Sequence, residues 1–390
     1  MMVGRVRSAW FLCALTCVLA HASALAYTLT DLPANNWFKI TVSGTYPSFR
    51  EWNEGVYNSA LHSVMLFDGY ADASHPYTIY SNSLWTYDFA TNAYTLRTLS
   101  PYHGGTTPSD WYQVSTCNPP CQWVHPYDRH PYGGFINDTQ DNVAILFGGV
   151  NAYSGIYEMD DTWAYSPVTN SWTNRNPTTH PSKRSEHAMV YVPTTNEVIL
   201  FDGYCNTCPD LWSYKYPTNT WTRRDTPGQV LPKGRRTHSM IFLPDQGRVM
   251  LFGGKSYDEI TLFNDTWLYD PVGNTWSNVS PLLSPAPRLA AGLAYDTRNK
   301  VVLMYGGYGA NGPVNDTWIY HPDTNRWEAL APIATPGPIG RTAWRLAYDE
   351  ANGEFLLSDS ANVVWAFRYV PSGQALDSIK PSAIRDLRPR

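Results

Sequence analysis

One short apolar run, repeated at near-regular spacing, constrains this chain of 390 residues more than any other feature. It reads Val64-Met65-Leu66-Phe67, Ala144-Ile145-Leu146-Phe147, Val198-Ile199-Leu200-Phe201, Val249-Met250-Leu251-Phe252 and Val302-Leu303-Met304-Tyr305, with a weaker copy at Phe355-Leu356-Leu357-Ser358. Continuous apolar runs of this length suit strands covered on both faces. The first five copies end in Asp68-Gly69, Gly148-Gly149, Asp202-Gly203, Gly253-Gly254 and Gly306-Gly307, small residues that permit a tight turn or a close backbone approach. After residue 26 no Ala/Glu/Lys/Leu-rich block recurs at helical spacing, which argues against a bundle or coiled coil.

Each run has the same neighbours. An arginine precedes it (Arg50, Arg129, Arg184, Arg235, Arg288, Arg341), at successive gaps of 79, 55, 51, 53 and 53 residues. A Trp-x-aromatic follows, as in Trp85-Thr86-Tyr87, Trp267-Leu268-Tyr269 and Trp365-Ala366-Phe367. A turn such as Asp270-Pro271-Val272-Gly273-Asn274 then leads to a second aromatic: Tyr94, Trp172, Trp221, Trp276 or Trp327. Each unit thus reads as four strands separated by turns.

On these residues the chain resembles the kelch repeat, whose period near 50 belongs to four-stranded propeller blades. The resemblance covers about residues 36–370 and implies an all-β, six-bladed kelch β-propeller of the galactose oxidase/kelch type, with four antiparallel strands per blade. The sixth copy has no second Trp after Trp365. Trp37, however, precedes Arg50 by 13 residues, within the 12 to 14 that separate the second Trp from the next Arg elsewhere. The strand around Asn36-Trp37-Phe38 is therefore expected to be the outer strand of the last blade. The long first gap carries an insertion at about 95–128, between blades one and two. Loops of that length in compact domains usually have a function.

The expected domains are a signal peptide, 1–26, a propeller, 27–370, and a polar tail, 371–390. Arg5 and Arg7, the apolar Trp10–Ala20 stretch and Ala24-Leu25-Ala26 make the signal peptide, with cleavage after Ala26 and a secreted or extracytoplasmic product. In the tail, Pro381–Leu387 resembles the start of a fibronectin-type-III-like module; a disordered polar terminus is the plainer reading. Cys13 and Cys17 fall in the signal. Cys117, Cys121, Cys205 and Cys208 remain, and export with close spacing suggests two local disulfides, although four cysteines allow three connectivities. A zinc site from the same four is the alternative.

In a propeller the loops joining strand two to three, and strand four to the next blade, share one face. Both cysteine pairs and the arginines are expected there. Of 16 tryptophans, Trp52, Trp111, Trp123 and Trp344 lie outside both the signal and the repeat positions, and map to one sector spanning blades one, two and six. With Arg50 and Arg341 they are the expected ligand-binding residues, since flat aromatic faces beside polar groups suit a sugar ring or a protein anchor. The arginine ring could bind an anion; the plainer expectation is that each Arg bonds carbonyls and acids between adjacent blades. His187 and His238, three residues after their arginines, would form a metal pair only if repeat ancestry did not already explain the spacing. His125, Asp128 and His130 are ligand types that match no metal signature.

The expected function is a secreted module binding a glycan or protein ligand on the loop face, without cofactor, as a monomer. A formal charge of −5 and no Lys/Arg run argue against nucleic acid, and no apolar stretch is long enough to insert in a membrane. One alternative is a sugar-active enzyme of the mutarotase type, with Glu186 and Glu54 as acid/base candidates; another is a structural extracellular component. The copper chemistry of galactose oxidase finds no matching Tyr/His/Cys constellation. Sequons stand at Asn137, Asn264, Asn278 and Asn315; those at Asn264 and Asn315 sit inside the repeat motif, where structure alone accounts for them.

Overall fold

The alternation of apolar runs and turn residues produces strands and nothing helical among the described residues. In the computed structural model these are residues 32–42, 44–45, 47, 54–67, 83–98, 125–126, 129–151, 156–205, 208–338, 346–360 and 363–372. All of them lie in one compact unit, Leu32–Arg390. No helix among them is long and apolar enough to cross a membrane.

The described residues form six four-stranded antiparallel sheets. Sheet one contains Glu54–Asn58, Ser63–Phe67, Leu84–Asp88 and Ala93–Thr98. Sheet two contains Phe135–Asp138, Val143–Phe147, Thr162–Ser166 and Ser171–Asn174. Sheet three contains Ala188–Val192, Glu197–Phe201, Leu211–Lys215 and Thr220–Arg223. Sheet four contains Ser239–Leu243, Arg248–Phe252, Thr266–Asp270 and Thr275–Asn278. Sheet five contains Gly292–Asp296, Val301–Tyr305, Thr317–His321 and Arg326–Leu330. Sheet six contains Leu346–Asp349, Glu354–Ser360 and Val363–Phe367, with Trp37–Thr41 paired on its outer edge.

The apolar runs are the second strands, and those of sheets one, two and five are buried at every position. The first strand of each sheet lies against that of the next, and the first strand of sheet six lies against that of sheet one. The ring therefore closes, as kelch blades do around an axis. Its axial channel measures 380 Å³ and is lined by first-strand residues such as Val56, Ile136, Met189, Met240, Leu293 and Ala347.

Trp37 closes the ring chemically as well as topologically. The second-Trp indoles Trp221 and Trp327 donate to Thr162 and Thr266 of the preceding sheet, at 3.0 and 3.2 Å. Trp37 donates to Thr317 at 3.0 Å and meets Tyr305 edge-on at 4.9 Å, the seat of a second Trp in sheet six. Where the residue before the first Trp is Leu (Leu84, Leu211) rather than Thr, the following indoles, Trp172 and Trp276, have no partner. In sheet one Tyr94 replaces Trp and its hydroxyl meets Ser358 of sheet six at 3.0 Å.

A second belt runs around the outside. Tyr87, Tyr165, Tyr214, Tyr269 and Tyr320 each donate to an Asn in the following turn, at 2.7–2.9 Å. Those Asn residues adopt positive φ, which Asn tolerates better than other non-glycine residues. Their amides then reach the end of the preceding outer strand: Asn92 bonds Thr41, Asn170 Arg97, Asn219 Arg175, Asn274 Arg224 and Asn325 Val279. The sheet-one outer strand runs to Thr98, so the first residues assigned to the insertion belong to the sheet.

Candidate functional site

The four described ring arginines lie just before the first strands of their sheets, and their side chains are consumed. Arg129, Arg184, Arg235 and Arg288 are all but completely buried. Each forms a bidentate pair with Asp161, Asp210, Asp265 or Asp316, at 2.5–2.8 Å. Each also donates to the carbonyl of Gly148, Asp202, Gly253 or Gly306. The same acids accept from Trp163, Trp212, Trp267 and Trp318. Arginine, aspartate and carbonyl all belong to one sheet, which corrects the expectation of side-chain bonds between blades. The between-blade link is the main chain: Gly149, Gly203 and Gly254 donate to the carbonyls of Arg184, Arg235 and Arg288 in the next sheet. The arginine guanidinium holds for Asp161, Asp265 and Asp316 against their burial, keeping these carboxyls below their ordinary range. Asp265 and Thr266, and likewise Asp316 and Thr317, explain why two sequons coincide with the repeat.

His187 and His238 are fully buried neutral imidazoles. Burial, with Arg184 second, pushes His187 down to about 3, and burial with Arg235 pushes His238 well below the ordinary range. A Cβ on Gly203 would lie 2.7 Å from His187 Cβ, and one on Gly254 would lie 2.9 Å from His238 Cβ. The second glycine of the doublet is thus needed for the histidine to pack. Phe147 and Phe201 of the preceding sheet meet the two rings edge-on. These contacts pack the two rings, whose buried nitrogens make no hydrogen bond among the described residues. His130 is buried, with its main chain paired to Val150 and its ring stacked on Tyr132 at 4.9 Å. His125 is half-buried and burial lowers its pKa. Asp128 lies outside the described residues.

Sheet three departs from the repeat at the loop face. Its connection between second and third strands, 202–210, is shorter than the corresponding 148–161 and 253–265. In its neighbours this connection supplies a carbonyl to the next arginine's amide: Met159 to Arg184 and Phe263 to Arg288. The short connection instead places an acid, Asp202, where sheets two, four and five have glycine. Asp202 is fully buried at φ 57°, and its carboxylate accepts from the Arg235 amide at 2.5 Å and from the Tyr257 hydroxyl. Burial pushes its carboxyl up to about 7, with the Tyr257 and Arg235 bonds acting the other way. Cys205 and Cys208 close this connection with a disulfide. The ligand atoms of Cys205, Cys208 and Asp210 lie within 4.8 Å of one another. The sulfurs are bonded to each other, however, and Asp210 holds Arg184 and Trp212, so no free ligand set is offered.

The longer connection of sheet four folds over this depression. Tyr257 packs on Gly234, where a Cβ would come within 2.5 Å of the ring. Arg236 donates twice to Glu186, at 2.8 and 2.9 Å, and pairs with Glu259; Lys255 reaches Glu259 at 2.6 Å. The Arg236 guanidinium stands 5.4 Å over the Tyr204 ring. Three large apolar side chains remain open to solvent at this seam: Tyr204 (49%), Tyr257 (37%) and Ile260 (83%).

Of the acid/base candidates, Glu186 is an ion-pair partner of Arg236, not a free acid. Glu54 lines the channel, accepts from the Phe135 amide at 3.0 Å, and is raised to about 8 by burial. Trp52, Trp111, Trp123, Trp344, Arg50, Arg341, Cys117 and Cys121 lie outside the described residues. The seam between sheets three and four escaped the sequence reading. Its marks in the sequence are the short Asp202–Asp210 connection and Gly234 before its arginine, neither of which points to an exposed surface until the two sheets are paired.

Six sheets in ring contact, four of them each tied by a described arginine–aspartate–tryptophan set, define a kelch β-propeller. Residues 135–351, more than half of the chain, match the KLHDC2/KLHL20/DRC7 Kelch-repeats domain, and the chain belongs to that family. It is similar to Kelch-like protein 35 of Mus musculus, 27% identical over 201 residues, which cover 49% of this chain and 30% of that protein. It is similar also to F-box protein AFR of Arabidopsis thaliana, 25% identical over 141 residues, 36% of this chain and 34% of that protein. Kelch domain-containing protein 3 of Homo sapiens is 38% identical over 63 residues, 16% of each chain. The chain spans about a third or less of the length of these relatives.

Proposed function

We propose that this propeller is an exported binding module that takes a protein ligand on its loop face. The observation that carries this reading is the seam of sheets three and four, where Tyr204, Tyr257 and Ile260 stay exposed. Monomeric proteins usually bury or scatter such groups, and aromatic anchors dominate protein interfaces. The buried arginines support a scaffold role, because none of the four described has a donor fork left for an anion. Kelch relatives, several of them parts of larger proteins, support the interaction reading in general terms. Export rests on the leader at 1–26. A glycan is the alternative ligand class, since the same tyrosine faces would stack on a sugar ring.

The test is affinity capture from the extracellular fraction with residues 27–390, run beside Ile260→Asp and beside Trp52→Ala with Trp344→Ala. Specific proteins retained by the parent and lost with Ile260→Asp support a protein ligand at the seam. Loss only with the tryptophan pair moves the site to the sector of blades one, two and six. A clean protein blank with binding on a glycan array replaces the ligand class.

A further inference from the structure

We infer that the seam between sheets three and four is a docking surface for an uncharged protein segment with an aliphatic or aromatic anchor. This deepens the binding-module reading and rests on it. The Asp202–Asp210 connection is short and closed by the Cys205–Cys208 bond, and the longer sheet-four connection bonds to it through Tyr257 and Asp202. The Ser256–Thr261 turn is stiffened from within, its Asp258 carboxylate accepting from the Ile260 amide at 3.0 Å and from the Ser256 hydroxyl.

The charge pattern selects the partner. The two cations that meet at the seam, Arg236 and Lys255, are matched by two acids, Glu186 and Glu259, while the exposed Asp258 carboxylate beside Ile260 is held by the Ser256 hydroxyl and the Ile260 and Thr261 amides. A charged partner group would have to break one of these pairs and leave its counter-ion behind. The Tyr257 hydroxyl is committed to Asp202, and one face of Tyr204 lies under Arg236. What remains for a ligand is ring surface and the Ile260 side chain. Paired charges around an apolar centre are the arrangement in which a buried anchor is shielded from water by a polar rim. Association through it should depend only weakly on salt, since the ion pairs cancel and Asp258 adds a single exposed charge.

The test pans a phage-displayed library of random dodecapeptides on residues 27–390 and measures the selected peptides by calorimetry. Enrichment of neutral sequences with an aromatic or aliphatic anchor is expected. Their affinity should fall about tenfold or more with Ile260→Asp, as for a central anchor. It should change less than about twofold between roughly 0.05 and 0.5 M salt. Ile260 is exposed, so the variant should melt with the parent; Tyr204→Ala provides an independent probe. Peptides that bind but ignore both variants overturn the docking surface and leave the binding function standing. An acidic or basic consensus with steep salt dependence overturns the stated partner chemistry. No enrichment, with Tyr204-dependent oligosaccharide binding on an array, replaces the protein ligand by a glycan. No binding of either kind overturns both readings.

Discussion

Replacing Trp37 by alanine should cost as much stability as replacing Trp327, although one residue sits near the N-terminus and the other inside a repeat. Trp37 is 1% exposed and lies against Tyr305 at 4.9 Å and Phe367 at 5.1 Å. Truncating a buried indole to alanine typically costs about 3–5 kcal/mol through lost transfer energy and the cavity left behind. The buried bond to Thr317 adds about 1 kcal/mol. Thr317→Val separates the two contributions, because it places Trp37 in the partnerless state that Trp172 and Trp276 already occupy. It should cost only about 1–2 kcal/mol. Urea unfolding of Trp37→Ala, Trp327→Ala and Thr317→Val, with fluorescence and circular dichroism as paired probes, measures all three. Equal losses for the two tryptophans are expected. A loss below about 1 kcal/mol for Trp37→Ala beside several for Trp327→Ala would refute ring closure by the N-terminal strand.

Leu211→Thr should give Trp276 the acceptor that its equivalents have and gain about 1 kcal/mol, read as a higher urea midpoint. Arg235→Met should lose about 3–5 kcal/mol by stranding the half-buried Asp265 and a buried carbonyl, and Arg235→Lys should recover little of it, lacking the bidentate fork. The pH dependence should fall on both sides of neutrality. His187 and His238 stay neutral when folded, so their stabilising contribution is present above the unfolded value near 6.5 and lost as pH falls below it. Asp202, raised to about 7, and Glu54 and Glu354, raised to about 8, contribute stability at low pH that is lost as pH rises through those values. Asp202→Asn should therefore flatten the decline between about pH 4 and 7, and an unchanged slope in urea midpoints would contradict that assignment.

The fold was legible because each strand carries its own signal. The Val-x-Leu-Phe runs, the Gly doublets and the Trp-x-aromatic pairs each solve a local problem that recurs in every sheet. Even the position of Trp37 could be read from its distance to Arg50. The role of the arginines was half legible: residue type and spacing pointed to structural work, but not to a partner thirty residues on in the same sheet. Asp161, Asp210, Asp265 and Asp316 are recognisable only once the second and third strands pair. The seam was not legible, because it arises where the repeat is broken. A short connection removes the carbonyl that should serve the Arg235 amide, Asp202 replaces it, and the neighbouring connection leans into the space. Such compensation belongs to two sheets at once and leaves no periodic trace. The tryptophan sector, by contrast, was inferred from what the repeat left over, which says where residues are spare but not what they touch.

Hydrogen exchange of residues 27–390 with and without a saturating selected peptide tests the central claim most directly, that buried arginines build the scaffold and the sheet three–four seam takes the ligand. The account predicts protection in the Lys255–Leu262 connection and at Tyr204, with the amides around Arg184, Arg235 and Arg288 slow in both states. Protection confined to the opposite turns, such as 139–142 or 297–300, or fast exchange around the arginines in the free protein, would contradict it.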